Sequence, residues 1–244
     1  MATPTYPTSG TTSFNLDLTQ IAEEAYELAG VEMRTGYDLR TARRSLGLML
    51  LSWANKGINL WTVDGPTSVT LVAGTATYNL PVDTVDLLDS VIRTGAGNSS
   101  TQSDLTISRI SESTYMSIPN KLSTGRPIQV WVNRQSGANN AGVSNPPQVT
   151  FWPIPDTSTT WTFVYYRLRR LQDPGTGLSG QDVPFRLLPA LCAGLAYYLS
   201  MKIPNAAPRV EMLKQNYGEL LDEALSEDRD KVSARFVPYV SLVR

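Results

Sequence analysis

The sequence contains no histidine and a single cysteine, Cys192. Without histidine the chain cannot form a Ser-His-Asp or Cys-His catalytic arrangement, and it lacks the side chain that most often acts as a general base near neutral pH. One cysteine excludes disulfide bonds within the chain and Cys-rich zinc or iron–sulfur sites. These absences favour a protein that is not an enzyme and that has no metal or cofactor.

Charge and long apolar runs are also scarce. Only 18% of the residues are charged, and 21 basic and 22 acidic side chains give a formal net charge of −1. A protein that coats DNA would be markedly basic. The longest apolar run, LGLMLLSWA at 46–54, is too short to cross a bilayer, and the Thr/Ser/Pro-rich residues at the N-terminus do not have the apolar stretch of a signal peptide. We therefore expect a soluble protein made in the cytoplasm, without membrane contact.

Helical periodicity is concentrated toward the two ends of the chain. Apolar residues recur at helical spacing over 18–29, where Asp17 can cap the start and Gly30 the end, and again over 38–56. Two further helices are predicted toward the other end. One begins at Asp182, where Pro189 should bend or restart it, and the last begins near Pro208. The four helices predict a helical core built from residues 17–57 and 182–231.

The intervening region is rich in Thr, Ser, Val, Gly and Pro, as strands and turns are. Prolines on both sides of 149–152 predict that this segment is an edge strand. The fold class is thus α+β, with a four-helix core, an inserted antiparallel β-sandwich or barrel-like domain over 58–181, an extended segment over 1–16 and an extended C-terminal arm over 232–244. The predicted strands are 67–72, 77–80, 85–93, 105–110, 128–134, 148–152 and 160–170.

Two motifs that could indicate catalysis or cofactor binding are weak. GTGLSG at 175–180 formally matches G-x-G-x-x-G, but no second strand and no acidic residue follow at the distance that a dinucleotide site requires, so a linker is favoured. A carboxylate enzyme would need acids such as Asp83, Asp89, Asp104 and Glu112 to converge in space, and the spacing gives no reason for it.

Charged residues cluster at three places in the sequence. Arg40, Arg43 and Arg44 lie at i, i+3 and i+4 on the second helix, either as a solvated face or as a contact for an acidic partner or nucleic-acid phosphates. Arg167, Arg169 and Arg170 form a second basic cluster. The last helix has an acidic outer surface that either aids solubility or, in a ring, docks on basic residues of a neighbour. Its acids are Glu219, Asp222, Glu223, Glu227, Asp228 and Asp230.

The C-terminal arm is too apolar for an idle solvated tail. It either packs on its own core or docks onto another chain as an extended arm. The residues predicted to bind a partner there are Phe236, Val237, Tyr239, Val240 and Leu242.

The order of these elements, together with local patterns, resembles a known family. IAEEAYELAGVE, WANKG with the following NLW, FWPIPD with the later YYR, and VPFRLLPALCAGLAYYLSMKI carry the resemblance over residues 17–231. The chain is similar to the head-to-tail adaptor (connector) proteins of short-tailed bacteriophages, of the tail tubular protein A and tail accessory factor types.

That resemblance implies a structural role at the head–tail junction of a virion assembled in the host cytoplasm. Such adaptors form rings, usually of twelve copies, beneath the phage portal protein, and their helices surround a channel through which viral DNA passes. The β-insertions hold tail nozzle or tail tube proteins and tail fibres, and C-terminal arms extend toward the portal.

Two other functions stay open. A glycan- or receptor-binding β module of a phage tail would place Trp131, Trp152, Trp161 and Tyr165 along a surface groove. A carboxylate-dependent cell-wall hydrolase would use Asp83, Asp89 or Asp104 in a cleft.

Overall fold

The computed structural model describes residues 14–56, 60–134 and 146–227, together with residue 10. Over these residues the chain is α+β, as predicted, with five α-helices and several antiparallel sheet pairings. It divides into two compact units, which are Met1–Leu60 with Asp173–Arg244, and Trp61–Gln172. The second unit is therefore one continuous stretch of sequence between the two parts of the first.

The described part of the first unit has four α-helices, and three of them pack around the fourth. The helices are α1 (Leu18–Ala29), α2 (Gly36–Asn55), α4 (Leu188–Ser200) and α5 (Val210–Glu227). α4 contacts the other three and is buried on almost every side. Its small residues let the neighbours approach closely, since a Cβ added at Gly194 would lie 2.5 Å from the sulfur of Met49 and 2.7 Å from the ring of Tyr217.

Capping side chains determine where the first two helices begin. The predicted bounds of α1 are confirmed, because the side chain of Asp17 accepts a hydrogen bond from the Gln20 N–H at 2.8 Å and Gly30 ends the helix in the left-handed conformation (φ 78°). α2 begins two residues before its predicted start. Thr35 and Asp38 form a capping box there, so that Asp38 lies within the first turn.

The third predicted helix was placed too early. The segment after Asp182 is not helical; a short 3₁₀ turn spans Phe185–Leu187, and α4 begins at Leu188. Pro189 occupies the first turn of α4, where its missing N–H is not needed, so it restarts the helix. A second 3₁₀ turn, Pro204–Arg209, precedes α5 in the same way.

The second unit contains ten strands and the short helix α3 (Glu112–Met116) among its described residues. The strands are β1 (Val63–Thr70), β2 (Thr77–Asn79), β3 (Thr84–Thr94), β4 (Ser103–Thr106), β5 (Ser108–Ile110), β6 (Thr124–Gly125), β7 (Gln129–Asn133), β8 (Gln148–Trp152), β9 (Ile154–Pro155) and β10 (Thr162–Arg169). They form a sheet of order β1-β10-β3-β4, another of order β2-β8-β7-β5, and the pair β6-β9. α3, β6 and β9 were not predicted.

The pairing of these strands corrects three predictions. β8 lies between β2 and β7, so the expected edge strand is an inner one; its flanking prolines fall outside the ladder and leave every N–H of β8 free to pair. The predicted strand 105–110 is divided at Ile107 into β4 and β5, which belong to different sheets. β5 pairs with β7, and β6 with β9, in parallel, so the insertion is not wholly antiparallel.

Both four-stranded sheets contribute to one apolar core. β8 provides Val149 and Phe151, while β10 provides Phe163 and Tyr165, and the Phe151 and Phe163 rings meet edge to face with their centroids 4.9 Å apart. Such a contact adds to the free energy gained by burying the rings. The second unit thus has a core of its own.

Candidate partner-binding surface

One face of α2 is exposed and has both charged and apolar side chains. Arg40, Arg43 and Arg44 are exposed, as predicted, and none of the three has an ion-pair partner among the residues that the structure describes. Leu48 is 58% exposed and Leu51 is 64% exposed on the same face. An exposed helix face that combines arginines with leucines is typical of a protein contact surface.

The arginines border a shallow groove of about 470 Å³ within the first unit. Tyr37, Asp173 and Pro174 complete its lining. Tyr37 is 64% exposed, and the Asp173 carboxylate accepts a hydrogen bond from the backbone N–H of Gly175 at 2.8 Å. The groove therefore offers three guanidinium groups against one carboxylate, which favours an acidic occupant.

The outer surface of α5 has the opposite charge. Glu219, Asp222, Glu223 and Glu227 are exposed, and the predicted acids Asp228 and Asp230 lie outside the described residues. The one lysine of the helix, Lys214, lies beside Glu211 at 3.5 Å, more than one turn before this stretch. Among the described residues, Glu219, Asp222 and Glu223 therefore have no ion-pair partner.

A third surface is an apolar groove of about 880 Å³ between α1, α4 and α5. Phe14 and Phe185 are about two-thirds exposed, and their ring centroids lie 6.5 Å apart. Burial and the charge of Glu24 raise the pKa of the Cys192 thiol to about 11, so this thiol stays protonated and unreactive at neutral pH. The groove is lined by Phe14, Leu28, Phe185, Pro189, Cys192 and Leu220, among others.

Comparison with known families identifies the chain. A model of the family described as SU10 adaptor protein matches residues 18–239, which is most of the sequence. The chain belongs to the SU10 adaptor protein family. It is therefore a bacteriophage structural adaptor, a component of the virion that interacts with other capsid or tail components. No curated protein matches the chain.

The second basic cluster of this adaptor includes a buried arginine that is paired within its own unit. The Arg167 side chain is buried, and its guanidinium donates to the Asp64 carboxylate at 2.7 Å and to the Asp83 carboxylate at 2.6 Å. Arg169 also donates to the backbone oxygen of Trp61 at 3.4 Å. Two of the three residues predicted as a basic cluster thus bond to groups within their own unit.

Two of the candidate acids of a hydrolase, Asp83 and Asp104, are paired with arginines of the second unit. Asp83 is held by Arg167, and Asp104 accepts two hydrogen bonds from Arg93 at 2.6 and 2.7 Å, which lower the pKa of the Asp104 carboxyl. A general acid needs a raised pKa, so Asp104 does not have the required chemistry. Among the described residues no group of three His, Cys, Asp or Glu side chains could hold a metal ion.

The four aromatic residues of the glycan-binding alternative do not line one groove. Trp161 is 7% exposed and Tyr165 is 1% exposed, and both belong to the core of the second unit. The Trp131 ring is stacked on Tyr115, with the centroids 5.2 Å apart. The described residues therefore do not form the predicted aromatic groove, because Trp161 and Tyr165 pack into the core.

The GTGLSG segment of the adaptor supports a helix rather than a phosphate. The oxygens of Gly177 and Ser179 accept hydrogen bonds from the N–H groups of Thr19 and Leu18, each at 3.1 Å. N–H groups in the first turn of a helix have no partner inside the helix and need one from elsewhere. The segment is therefore more ordered than the predicted linker.

The predicted anchor residues of the C-terminal arm fall after the last residue that the structure describes, Glu227. Phe236, Val237, Tyr239, Val240 and Leu242 all lie outside the described residues.

Sequence reasoning missed three residues of the α2 face, Tyr37, Leu48 and Leu51. Their spacing from the arginines (37, 40, 44, 48, 51) follows one side of a helix and could have identified them. Across the described chain, no helix is both long and apolar enough to cross a membrane.

Proposed function

We propose that this adaptor forms a ring of about twelve copies that joins the phage portal to the tail and continues the DNA channel. The observation that carries the proposal is the family match over residues 18–239. The ring would lie at the head–tail junction, with the portal on one side and a tail nozzle or tail tube protein on the other. In this role the chain provides surfaces rather than catalysis.

The surfaces of the first unit support a ring. A subunit in a closed ring presents two different faces, because each contact joins unlike patches of adjacent copies. The α2 face is basic and partly apolar, whereas the outer surface of α5 is acidic. One unit therefore carries two surfaces of opposite character, as a head-to-tail contact requires. We take its four helices as the core of the ring.

We further propose that residues 232–244 form an extended arm that anchors the adaptor to the portal. Phe236, Val237, Tyr239, Val240 and Leu242 provide its apolar side chains. An extended segment of this length reaches roughly 40 Å, enough to cross to a neighbouring protein. In the same proposal, the β-rich lobe, as a sandwich-like insertion, would contact tail components that include the fibres, and residues 1–16 would form an extended N-terminal segment.

The test is the solution mass of the purified protein, alone and mixed with the portal of the same virus. We expect a complex of ring size on the portal. A protein that stays monomeric and does not bind the portal would contradict the proposed function.

A chain that ends after Lys231 tests the arm separately. We expect it to lose portal binding while its circular dichroism and thermal unfolding stay unchanged. The full-length protein with Glu23→Arg and Glu27→Arg, two changes on the exposed side of α1, is the control and should still bind. Unchanged portal binding by the truncated chain would refute the arm.

A further inference from the structure

We infer that the ring contact joins the basic face of α2 in one copy to the acidic face of α5 in the next copy. The inference rests on the proposed ring and specifies which surfaces meet in it. The basic triad is Arg40, Arg43 and Arg44. The acidic triad is Glu219, Asp222 and Glu223.

The two triads have matching geometry. Each occupies positions i, i+3 and i+4 of a long helix, so its three charges lie close together on one side of about one helical turn. Two helices that pack side by side can therefore bring all three guanidinium groups opposite all three carboxylates. Arginine favours such contacts because its planar group can donate two hydrogen bonds to one carboxylate.

Neither triad has ion-pair partners inside the described part of its own chain. All six side chains are exposed, and no ion pair between described residues involves any of them. The nearby acids of the basic face have other hydrogen bonds. Asp38 accepts from the backbone N–H of Thr35, and Asp173 accepts from that of Gly175. On α5, the Glu219 carboxylate accepts one hydrogen bond from the side chain of Gln215.

Exposed apolar side chains extend both faces. Leu48 and Leu51 follow the basic triad along α2, and Tyr37 precedes it; all three are more than half exposed. On α5, Met212 is 59% exposed. Burying these side chains in a contact would remove apolar surface from water, which drives association.

The same observations favour a protein over DNA as the occupant of the basic face. Phosphates would bind the three arginines, but they would leave Leu48 and Leu51 without an apolar partner. A second copy of the chain supplies a discrete acidic triad of the same spacing, so it fits the observed charges better.

The experiment is a charge exchange between two double variants. One has Arg40→Glu with Arg44→Glu, and the other has Glu219→Arg with Glu223→Arg; both pairs are at i and i+4. Each variant alone should lose assembly at least tenfold, because like charges then meet at every contact. An equimolar mixture should recover complexes, since each copy of one variant meets a copy of the other with opposite charges. Sedimentation, with and without the portal, measures both results.

The matched control is the double variant Glu23→Arg with Glu27→Arg, which reverses two exposed charges at the same spacing on α1. It should assemble like the unchanged protein, and thermal unfolding should show that all three variants fold. If either triad variant assembles alone, or if the mixture does not recover assembly, the inferred contact is wrong, although the proposed ring is not contradicted. Rings that persist while the Arg40 and Arg44 variant loses binding to duplex DNA would overturn it in favour of DNA. If the unchanged protein assembles neither alone nor on the portal, the proposed function fails as well.

Discussion

In the second unit, Arg93, Arg109 and Arg167 each meet a carboxylate at 2.6 to 2.8 Å. In the first unit, Arg40, Arg43 and Arg44 meet none among the described residues, and they stand on one helix face. The sheets thus use their charges to join strands, because Arg93 and Asp104 face each other across β3 and β4, and Arg167 connects β10 to Asp64 on β1. Among the described residues, the arginine triad of α2 does not join elements of its own unit in this way.

The two units also differ in what stabilises them. The described core of the first unit is built from apolar side chains around α4, with the Trp53 ring fully buried and its Nε1 donating to the Tyr217 hydroxyl at 2.7 Å. The second unit combines an apolar core with a nearly buried arginine. In the first unit the residues that build the core are therefore distinct from those that we propose for binding, whereas in the second unit the charged residues contribute to stability.

The largest effect should come from removing Trp53. We expect Trp53→Ala to lower the free energy of unfolding by about 3–5 kcal/mol, because a large ring is lost from a close-packed site. Trp53→Phe keeps most of the packing and loses the hydrogen bond to Tyr217, so it should cost less. Urea denaturation measures both. A loss below about 1 kcal/mol for the alanine variant would show that the first unit does not depend on this packing.

A smaller loss is expected from Arg167→Ala in the second unit. The change removes the bonds to Asp64 and Asp83, but these side chains are 47% and 43% exposed and can be hydrated. We therefore expect a loss of about 1–3 kcal/mol in the free energy of unfolding. Arg109→Ala, which affects a more exposed ion pair, is the control and should cost less. Equal losses would mean that burial of Arg167 is unimportant.

Alkaline pH should weaken the first unit through Tyr26. Burial, with a further contribution from Asp38, raises the pKa of Tyr26 from 10.0 to about 12. Between these two values the unfolded chain ionises while the folded chain does not, so the stabilisation is present below pH 10 and is lost as the pH rises toward 12. Denaturation midpoints measured from pH 9 to 12 check this. Tyr26→Phe should show a shallower decline, and an unchanged slope would refute the assignment.

The smallest effect on stability should come from the arginines that we assign to binding. Arg40→Ala, Arg43→Ala and Arg44→Ala should each change the free energy of unfolding by no more than about 0.5 kcal/mol, because exposed residues without partners contribute little. Thermal unfolding of the single variants measures this. Losses as large as that of Arg167→Ala would remove the contrast between the two units.

Local patterns predicted some elements well and failed where pairing between distant segments mattered. The bounds of α1 and β8 followed from the sequence, because helix caps and flanking prolines act within a few residues. The position of β8 inside its sheet did not follow, since the prolines beside it leave its own N–H groups free. The start of α4 was misplaced because aspartate is favoured at helix N-caps, and Asp182 was therefore predicted as the cap. The chain instead makes a 3₁₀ turn at Phe185–Leu187 before the helix begins.

The same limit applies to the candidate surfaces. The arginine triad on α2 was predicted correctly as an exposed stripe because helical spacing determines which residues share a side. The pairing of Arg167 was not predicted, because nothing local indicates that Asp64 and Asp83, about a hundred and about eighty residues away, converge on it. Trp161 and Tyr165 were misassigned because the sequence did not show which face of β10 points toward the second sheet.

By itself, then, the sequence determined the α+β class, the helix ends set by capping residues, the charged stripes of α2 and α5, and a resemblance that the family match supports at the level of a phage adaptor. The tertiary structure alone decided which arginines are paired, which aromatic rings are buried and which strand lies inside a sheet. The physical reason is range, because capping and helical spacing depend on residues within one or two turns, whereas pairing and burial depend on segments that only folding brings together.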